Sequence, residues 1–555
     1  MNIIYKPFTE SIVRMKVLLI NPPVRKKMQP QEIPIGLGMI AAIAKQEGQQ
    51  LAFLDLNVHR VSLQFVAQEI AIDDYDIIGI GGLSSQYQDI RNILPVCRQI
   101  HPDAIIVAGG GFVTYMPDKM LRLRPEIDII VIGEGEETWK DLLKAAPKKD
   151  FSTVKGIAYR NEEGEIIYTE PRPLIPDLDT LPYPAYDLME LDEYSEHYDL
   201  CYSEESLHSK RKISIITERG CPRQCTFCTH NGMSRWDQLV SIGKEEVLKL
   251  DDEFGFQQIA RFNSPAYTLK HMQYLYENYD EGYIYLSDEN MTSNRKRTIE
   301  LCNLLIENDT PSKIHWGTAG DAASIDDDVI SLMKKAGCTF ITFGGESGSD
   351  KVLKYDIQKG TTRKNNQDAI DIMKRQGMEP IMTFMLGNPH EDVNDILETT
   401  DFFVKNNLAC DPFICTPYPG TKLYIDYEQQ ILEQFDERLA VIKNLPKESI
   451  DKELVQQWKD KALDKFLSSL DDADVLSAHV SQVFNHHDLL GLKALMFSHD
   501  IPRILKVSHM RNWPHDKKWT EQCPVCSANN EINELRKLNE ALFTPTASTG
   551  ESAQI

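Results

Sequence analysis

Thr217-Glu218-Arg219-Gly220-Cys221-Pro222-Arg223-Gln224-Cys225-Thr226-Phe227-Cys228 places three cysteines on a short Gly- and Pro-containing segment that follows an apolar run at 213–217. The chain holds eleven cysteines in 555 residues, so two more at fixed offsets from a given one would arise by chance with probability about (11/555)², roughly 0.0004. Three thiolates so spaced can converge on one soft-metal site. A structural zinc ion closes its tetrahedron with four protein ligands, whereas three cysteines on a cubane iron-sulfur cluster leave one iron open to a small molecule. His230 would complete the zinc set, so both centres remain open at this point. Phe227, next to the third cysteine, offers a planar apolar surface to a purine if the iron is open, and is core filler otherwise.

Around this segment, short apolar runs alternate with amphipathic stretches. Strands are expected at 213–217, 258–262, 283–286, 313–317, 339–343, 380–386 and 412–415, with helices such as 295–307 and 326–335 between them. That alternation predicts a full or partial (β/α) barrel over 206–426, with its active site at the C-terminal mouth of the strands. Residues 15–150 show five similar units and predict a doubly wound, flavodoxin-like (Rossmann-type) α/β domain, whose ligands lie beyond the carboxyl ends of the strands. There the sequence reads Asn21-Pro22-Pro23, Gly81-Gly82-Leu83-Ser84-Ser85, Gly109-Gly110-Gly111-Phe112 and Gly133-Glu134-Gly135-Glu136, a rim on which a large ligand can lie flat. Prolines at 171, 173, 176, 182 and 184 mark 151–205 as a linker. Residues 1–14 read as a leader, 427–540 as a helical C-terminal domain and 541–555 as a disordered tail.

Sixty Lys plus Arg against 84 Asp plus Glu leave a net charge of −24, which repels phosphate backbones and argues against a nucleic-acid partner. Apolar runs such as 39–44 fall far short of the roughly 18 residues of a membrane span, and the first residues lack a signal-peptide cleavage pattern, so a cytoplasmic protein without a transmembrane segment is expected. Cysteines are too sparse for a disulfide scaffold.

Cys-x3-Cys-x2-Cys after the first barrel strand resembles the radical S-adenosylmethionine (radical SAM) superfamily. Ser287-Asp288-Glu289-Asn290-Met291 resembles its acidic strand-end motif, and Gly344-Gly345-Glu346-Ser347-Gly348-Ser349 its segment near the ribose and methionine. Met385-Leu386-Gly387-Asn388-Pro389-His390-Glu391 and Thr416-Pro417-Tyr418-Pro419-Gly420-Thr421 also fit. The N-terminal strand ends, with Ile33-Pro34-Ile35-Gly36-Leu37-Gly38, resemble the cobalamin-binding domain fused to one radical SAM class. The resemblance implies a 4Fe-4S cluster on Cys221, Cys225 and Cys228, with S-adenosylmethionine on its open iron beside Phe227, Gly345, Glu346 and Ser347. It implies cobalamin against Ser84, Ser85, Gly109, Gly110, Gly133 and Glu134.

Two departures stand out. The Asp-x-His-x-x-Gly signature is absent, with His59 four positions after Asp55, and Gly320-Asp321 stands where relatives often carry an arginine. The resemblance further implies a 5'-deoxyadenosyl radical and an external one-electron donor such as flavodoxin or ferredoxin. The expected activity is methylation of an unactivated carbon, or of phosphorus, in a small-molecule, lipid or natural-product substrate. A cyclase or rearrangement enzyme with the same cofactors, and a corrinoid sensor with an inert barrel, are the alternatives. No acid-base pair is expected, so no catalytic residue is assigned. Tyr267, Tyr283, Tyr285 and Glu289 could position substrate or be structural. Cys523-Pro524-Val525-Cys526 is half of a metal knuckle, which His509 or His515 could complete.

Overall fold

The computed structural model describes residues 14–24, 26, 29–198, 203–209, 211–229, 260–408, 412–442, 451–472 and 483–484. His230, His509, His515, Cys523, Cys526 and the expected tail lie outside them.

The N-terminal sheet contains β1 (Lys16–Asn21), β2 (Gln50–Asp55), β3 (Ile77–Gly81), β4 (Ile105–Gly109), β5 (Ile129–Val131), β6 (Ile157–Arg160) and β7 (Ile166–Tyr168), in the order β2-β1-β3-β4-β5-β6-β7. The first five strands are parallel, and the hairpin β6–β7 adds to the edge antiparallel. Central strands such as Ile-Ile-Gly-Ile-Gly are apolar on both faces because helices cover both. Ala41, Ala44, Trp139 and Leu142 pack on one side, and Val66, Ile90, Leu94 and Met120 on the other. The expected linker 151–205 thus begins with strand structure. Its prolines all follow β7, and Gly164, at φ +83°, turns the hairpin.

The second sheet is six-stranded and wholly parallel, in the order β15-β14-β13-β12-β11-β8. It consists of β8 (Lys212–Ile215), β11 (Tyr283–Leu286), β12 (His315–Gly320), β13 (Cys338–Glu346), β14 (Ile381–Leu386) and β15 (Phe413–Ile414). It is a partial barrel. The strand expected at 258–262 is not one of its staves. Instead β10 (Arg261–Phe262) pairs antiparallel with β9 (Glu218–Arg219), because β11 is already hydrogen-bonded to β8 and leaves no place between them. Ile213, Ile215, Ile284, Leu286, Trp316 and Phe343 face the outer helices. Alternation turns Tyr283, Tyr285 and Phe340 the other way, where Tyr198 joins them and fills the lower lumen. Gly317 is needed there, since a Cβ would lie 2.6 Å from the Phe340 ring.

After the barrel, the helices Lys422–Phe435 and Lys452–Ser469 return to the N-terminal domain, where Tyr424, Phe466 and Leu467 extend the apolar layer under Tyr87 and Met120.

Candidate functional site

The cysteine loop leaves β9 at Gly220, whose φ of +87° turns the chain, and closes with Cys228 N donating to the Cys225 carbonyl at 3.2 Å. Burial pushes the Cys225 thiol well above its ordinary value, the nearby Lys359 ammonium opposes this, and Glu346, Cys228 and Cys221 add to it. Cys221 is likewise raised, by burial first and by Glu289 and Glu218 beyond that, while Asn290 Nδ2 lies 3.9 Å from its sulfur. Thiols so placed give up their protons to a metal centre, which removes the desolvation cost. Among the described residues only Glu193, Glu196 and His197 bring three such ligand atoms within 4.8 Å of one another. Soft thiolate donors in a three-cysteine set fit a cubane cluster.

Charged groups surround the loop. Asp321 is buried and ion-paired with Arg223 from within the loop. Lys359 is enclosed beside Cys225 and donates to the Gly344 carbonyl (2.6 Å) and to Glu346 (3.2 Å). Glu346 ends β13 with φ +62°, an uncommon conformation for a residue with a Cβ. Ser347 is fully buried, its hydroxyl 3.1 Å from Thr399 Oγ1. Gly345 accepts from Asn366 Nδ2 at 2.9 Å, and Phe227 packs against Val352, Leu353, Ile357 and Met385.

On the acidic strand end, Asp288 accepts from the Thr217 amide at 2.6 Å, and Asn290 N donates to Glu218 at 2.5 Å. Burial, and then the proximity of Asp288, push Glu218 well above the usual carboxylate range. Its second oxygen is buried without a hydrogen-bond partner. Glu218 also lines a cavity of about 80 Å³ with Met39, Ile216, Arg219, Tyr267 and His271. Tyr267 donates to the Leu181 carbonyl at 2.8 Å, so its hydroxyl is engaged with the linker.

The rim of the N-terminal sheet faces this loop. Ser84 and Ser85 open a turn held by Gln86, which donates to the Pro22 carbonyl at 2.6 Å. Gly110, at φ +88°, lies so close to the preceding rim turn that a Cβ would come 2.6 Å from the Gly82 oxygen. A Cβ on Gly133 would meet nothing within 4 Å, one on Gly109 only Val131 at 3.9 Å, and Leu83 remains exposed. This open, glycine-edged rim leaves room for a large planar ligand to approach the backbone. His59 pairs with Glu190 at 2.5 Å, and Asp55 caps the helix Leu56–His59. Glu134 holds its carboxylate away from the cradle, accepting from Arg261 (2.8 and 3.0 Å), Arg219 (3.1 Å) and the Ile175 amide (2.7 Å). Arg219, Arg261, Lys359 and Tyr115 carry no motif of their own. Only the position of Arg219, two residues before Cys221, marks it in the sequence.

Residues 23–143 match the B12 binding domain family and residues 215–403 the Radical SAM superfamily. This chain is a radical SAM enzyme with a B12-binding domain. An uncharacterized methyltransferase of Pyrococcus horikoshii is 29% identical over 419 residues, covering 74% of this chain and 82% of that protein. The anaerobic magnesium-protoporphyrin IX monomethyl ester cyclase of Rubrivivax gelatinosus is 27% identical over 435 residues, covering 76% and 71%. Among solved structures, the radical S-adenosylmethionine methyltransferase TsrM from Kitasatospora setae, with cobalamin and a [4Fe-4S] cluster bound, has a TM-score of 0.57 at 16% identity and covers 76% of this chain and 75% of its own. That likeness establishes the shared fold. The cofactors of this radical SAM enzyme are a 4Fe-4S cluster, S-adenosylmethionine and cobalamin. No helix among the described residues is long and apolar enough to cross a membrane.

Proposed function

We propose that this enzyme methylates an unactivated carbon, or phosphorus, of a small-molecule, lipid or natural-product substrate. The observation that carries the reading is the direct apposition of the two cofactor supports: Tyr115, on the corrinoid rim, donates to the Thr229 carbonyl immediately after Cys228 at 2.7 Å. When bound, the cluster with S-adenosylmethionine supplies a 5'-deoxyadenosyl radical and cobalamin supplies a transferable methyl group. Cys221, Cys225 and Cys228 would hold the cluster, and Phe227, Gly345 and Glu346 would line the nucleoside side. Ser347 would support that side from beneath through Thr399. Ser84, Ser85, Gly109, Gly110 and Gly133 would cradle the corrinoid, while Glu134 is turned toward Arg219 and Arg261 instead. Tyr283, Tyr285 and Phe340 close the barrel below and keep water from that side. No protonation step is required of these side chains, so the work of the protein is orientation and exclusion of water. A flavodoxin or ferredoxin of the cytoplasm would deliver the electron.

Similarity to the cyclase favours a second reading, ring closure with the same cofactors. Mass spectrometry of turnovers separates the two. Methylation adds one methyl mass and forms S-adenosylhomocysteine beside 5'-deoxyadenosine. A product without that gain overturns it.

A further inference from the structure

The corrinoid domain touches the cysteine loop at both of its ends. Before Cys221, Arg219 and Arg261 are directly opposed on the short β9–β10 ladder, and both reach the same rim turn. Glu136 accepts from Arg219 at 2.5 Å, and Glu134 bridges the two guanidiniums through both of its oxygens. Two buried carboxylates and two enclosed guanidiniums balance in charge, the condition under which such burial is tolerated. From the other face of the ladder Glu218 takes the Asn290 amide, and Asn290 reaches Cys221. After Cys228, Tyr115 donates to the Thr229 carbonyl. Its ring is seated on Gly420 of the barrel's last turn, where a Cβ would lie 2.2 Å away.

We propose that this two-sided clamp, Glu134 and Glu136 on Arg219 and Arg261 before the triplet and Tyr115 on Thr229 after it, sets the distance and orientation between cluster and corrinoid. Its members are positioning residues. The reasoning is mechanical: a loop held at one end can swing, whereas one gripped at both flanks by bidentate guanidinium pairs and a seated aromatic has one arrangement. The inference depends on the two cofactors and not on which substrate is methylated or cyclised.

The test uses the reduced holoenzyme containing both the paramagnetic cluster and cob(II)alamin, whose magnetic interaction depends steeply on their separation. Wild type should show one well-defined cluster-induced broadening and relaxation enhancement of the cob(II)alamin signal. Glu134→Gln and Tyr115→Phe should each retain iron and corrinoid content yet lose part of that enhancement, with a spread of couplings. Glu134→Gln combined with Arg261→Gln should lose no more than the larger of its single variants, as expected for partners in one interaction. Glu170→Gln, in an exposed pair with Lys155, serves as the control and should match wild type. If Glu134→Gln does not fold, Tyr115→Phe alone decides. Unchanged cob(II)alamin relaxation in Tyr115→Phe, or strictly additive losses in the double variant, overturns the proposal.

Discussion

At the residue scale, Cys225 is the most enclosed member of the triplet, and on the proposed reading its buried thiol, raised by desolvation, is relieved when a metal centre takes the thiolate charge. Cys225→Ala should abolish the cluster absorbance and all S-adenosylmethionine cleavage while leaving corrinoid bound, as checked by visible spectra and 5'-deoxyadenosine assay. A different cost is visible at Glu281, buried with no hydrogen bond to either oxygen and pushed by burial from 4.5 up to about 8. The folded state keeps a proton that the unfolded chain releases in that window, so the contribution of Glu281 to stability falls as pH rises from about 4.5 to about 8 and is flat on either side. Glu281→Gln should flatten that part of the profile and exceed wild-type stability above pH 8, as measured by denaturant unfolding across pH. The cysteine triplet stands out in the sequence because three sulfurs at fixed offsets have few other uses. Glu281 does not, since a lone glutamate before a strand reads as surface until its neighbours are known.

At the element scale, hydrophobic alternation marks five N-terminal strands and six of the seven expected in the barrel, because parallel strands covered on both faces are unbroken apolar runs. It failed at 258–262, where the pattern resembles a stave but only two residues pair, and antiparallel, with β9. Local pattern does not encode which neighbour has already occupied an edge. It also missed the hairpin β6–β7, because the prolines that follow it dominated the reading. The glycine rim can be tested directly. Gly110→Ala would force a left-handed alanine against the Gly82 carbonyl and should cost roughly 1–3 kcal/mol of stability, measured as a lower denaturant midpoint. Corrinoid affinity should fall with it.

At the scale of the whole molecule, the chain closes on itself. The helix Lys452–Ser469 packs on the corrinoid domain more than 300 residues earlier, and Asp464 is its anchor: it accepts from Tyr87 at 2.6 Å, pairs with Arg91 at 3.1 Å and pairs with Arg124. Asp464→Asn should leave Arg124 poorly compensated and lower stability by roughly 1–3 kcal/mol, seen as a denaturant midpoint shift with cofactor content retained in native buffer. Composition and periodicity announced helices in this region but could not say what they cover, because a docking surface depends on contacts distant in sequence. The same holds for the Glu134–Arg219 and Tyr115–Thr229 contacts that join rim to loop. On the proposed reading, the contacts between rim and loop would hold the cluster beside the corrinoid. The most direct measurement is anaerobic reconstitution with iron, sulfide and metals quantified, followed by electron paramagnetic resonance of the reduced protein with and without S-adenosylmethionine. One 4Fe-4S cluster bound at the triplet, with a spectrum that shifts when S-adenosylmethionine is added, is the predicted result. Stoichiometric zinc at the triplet, or a cluster spectrum indifferent to S-adenosylmethionine, would contradict it.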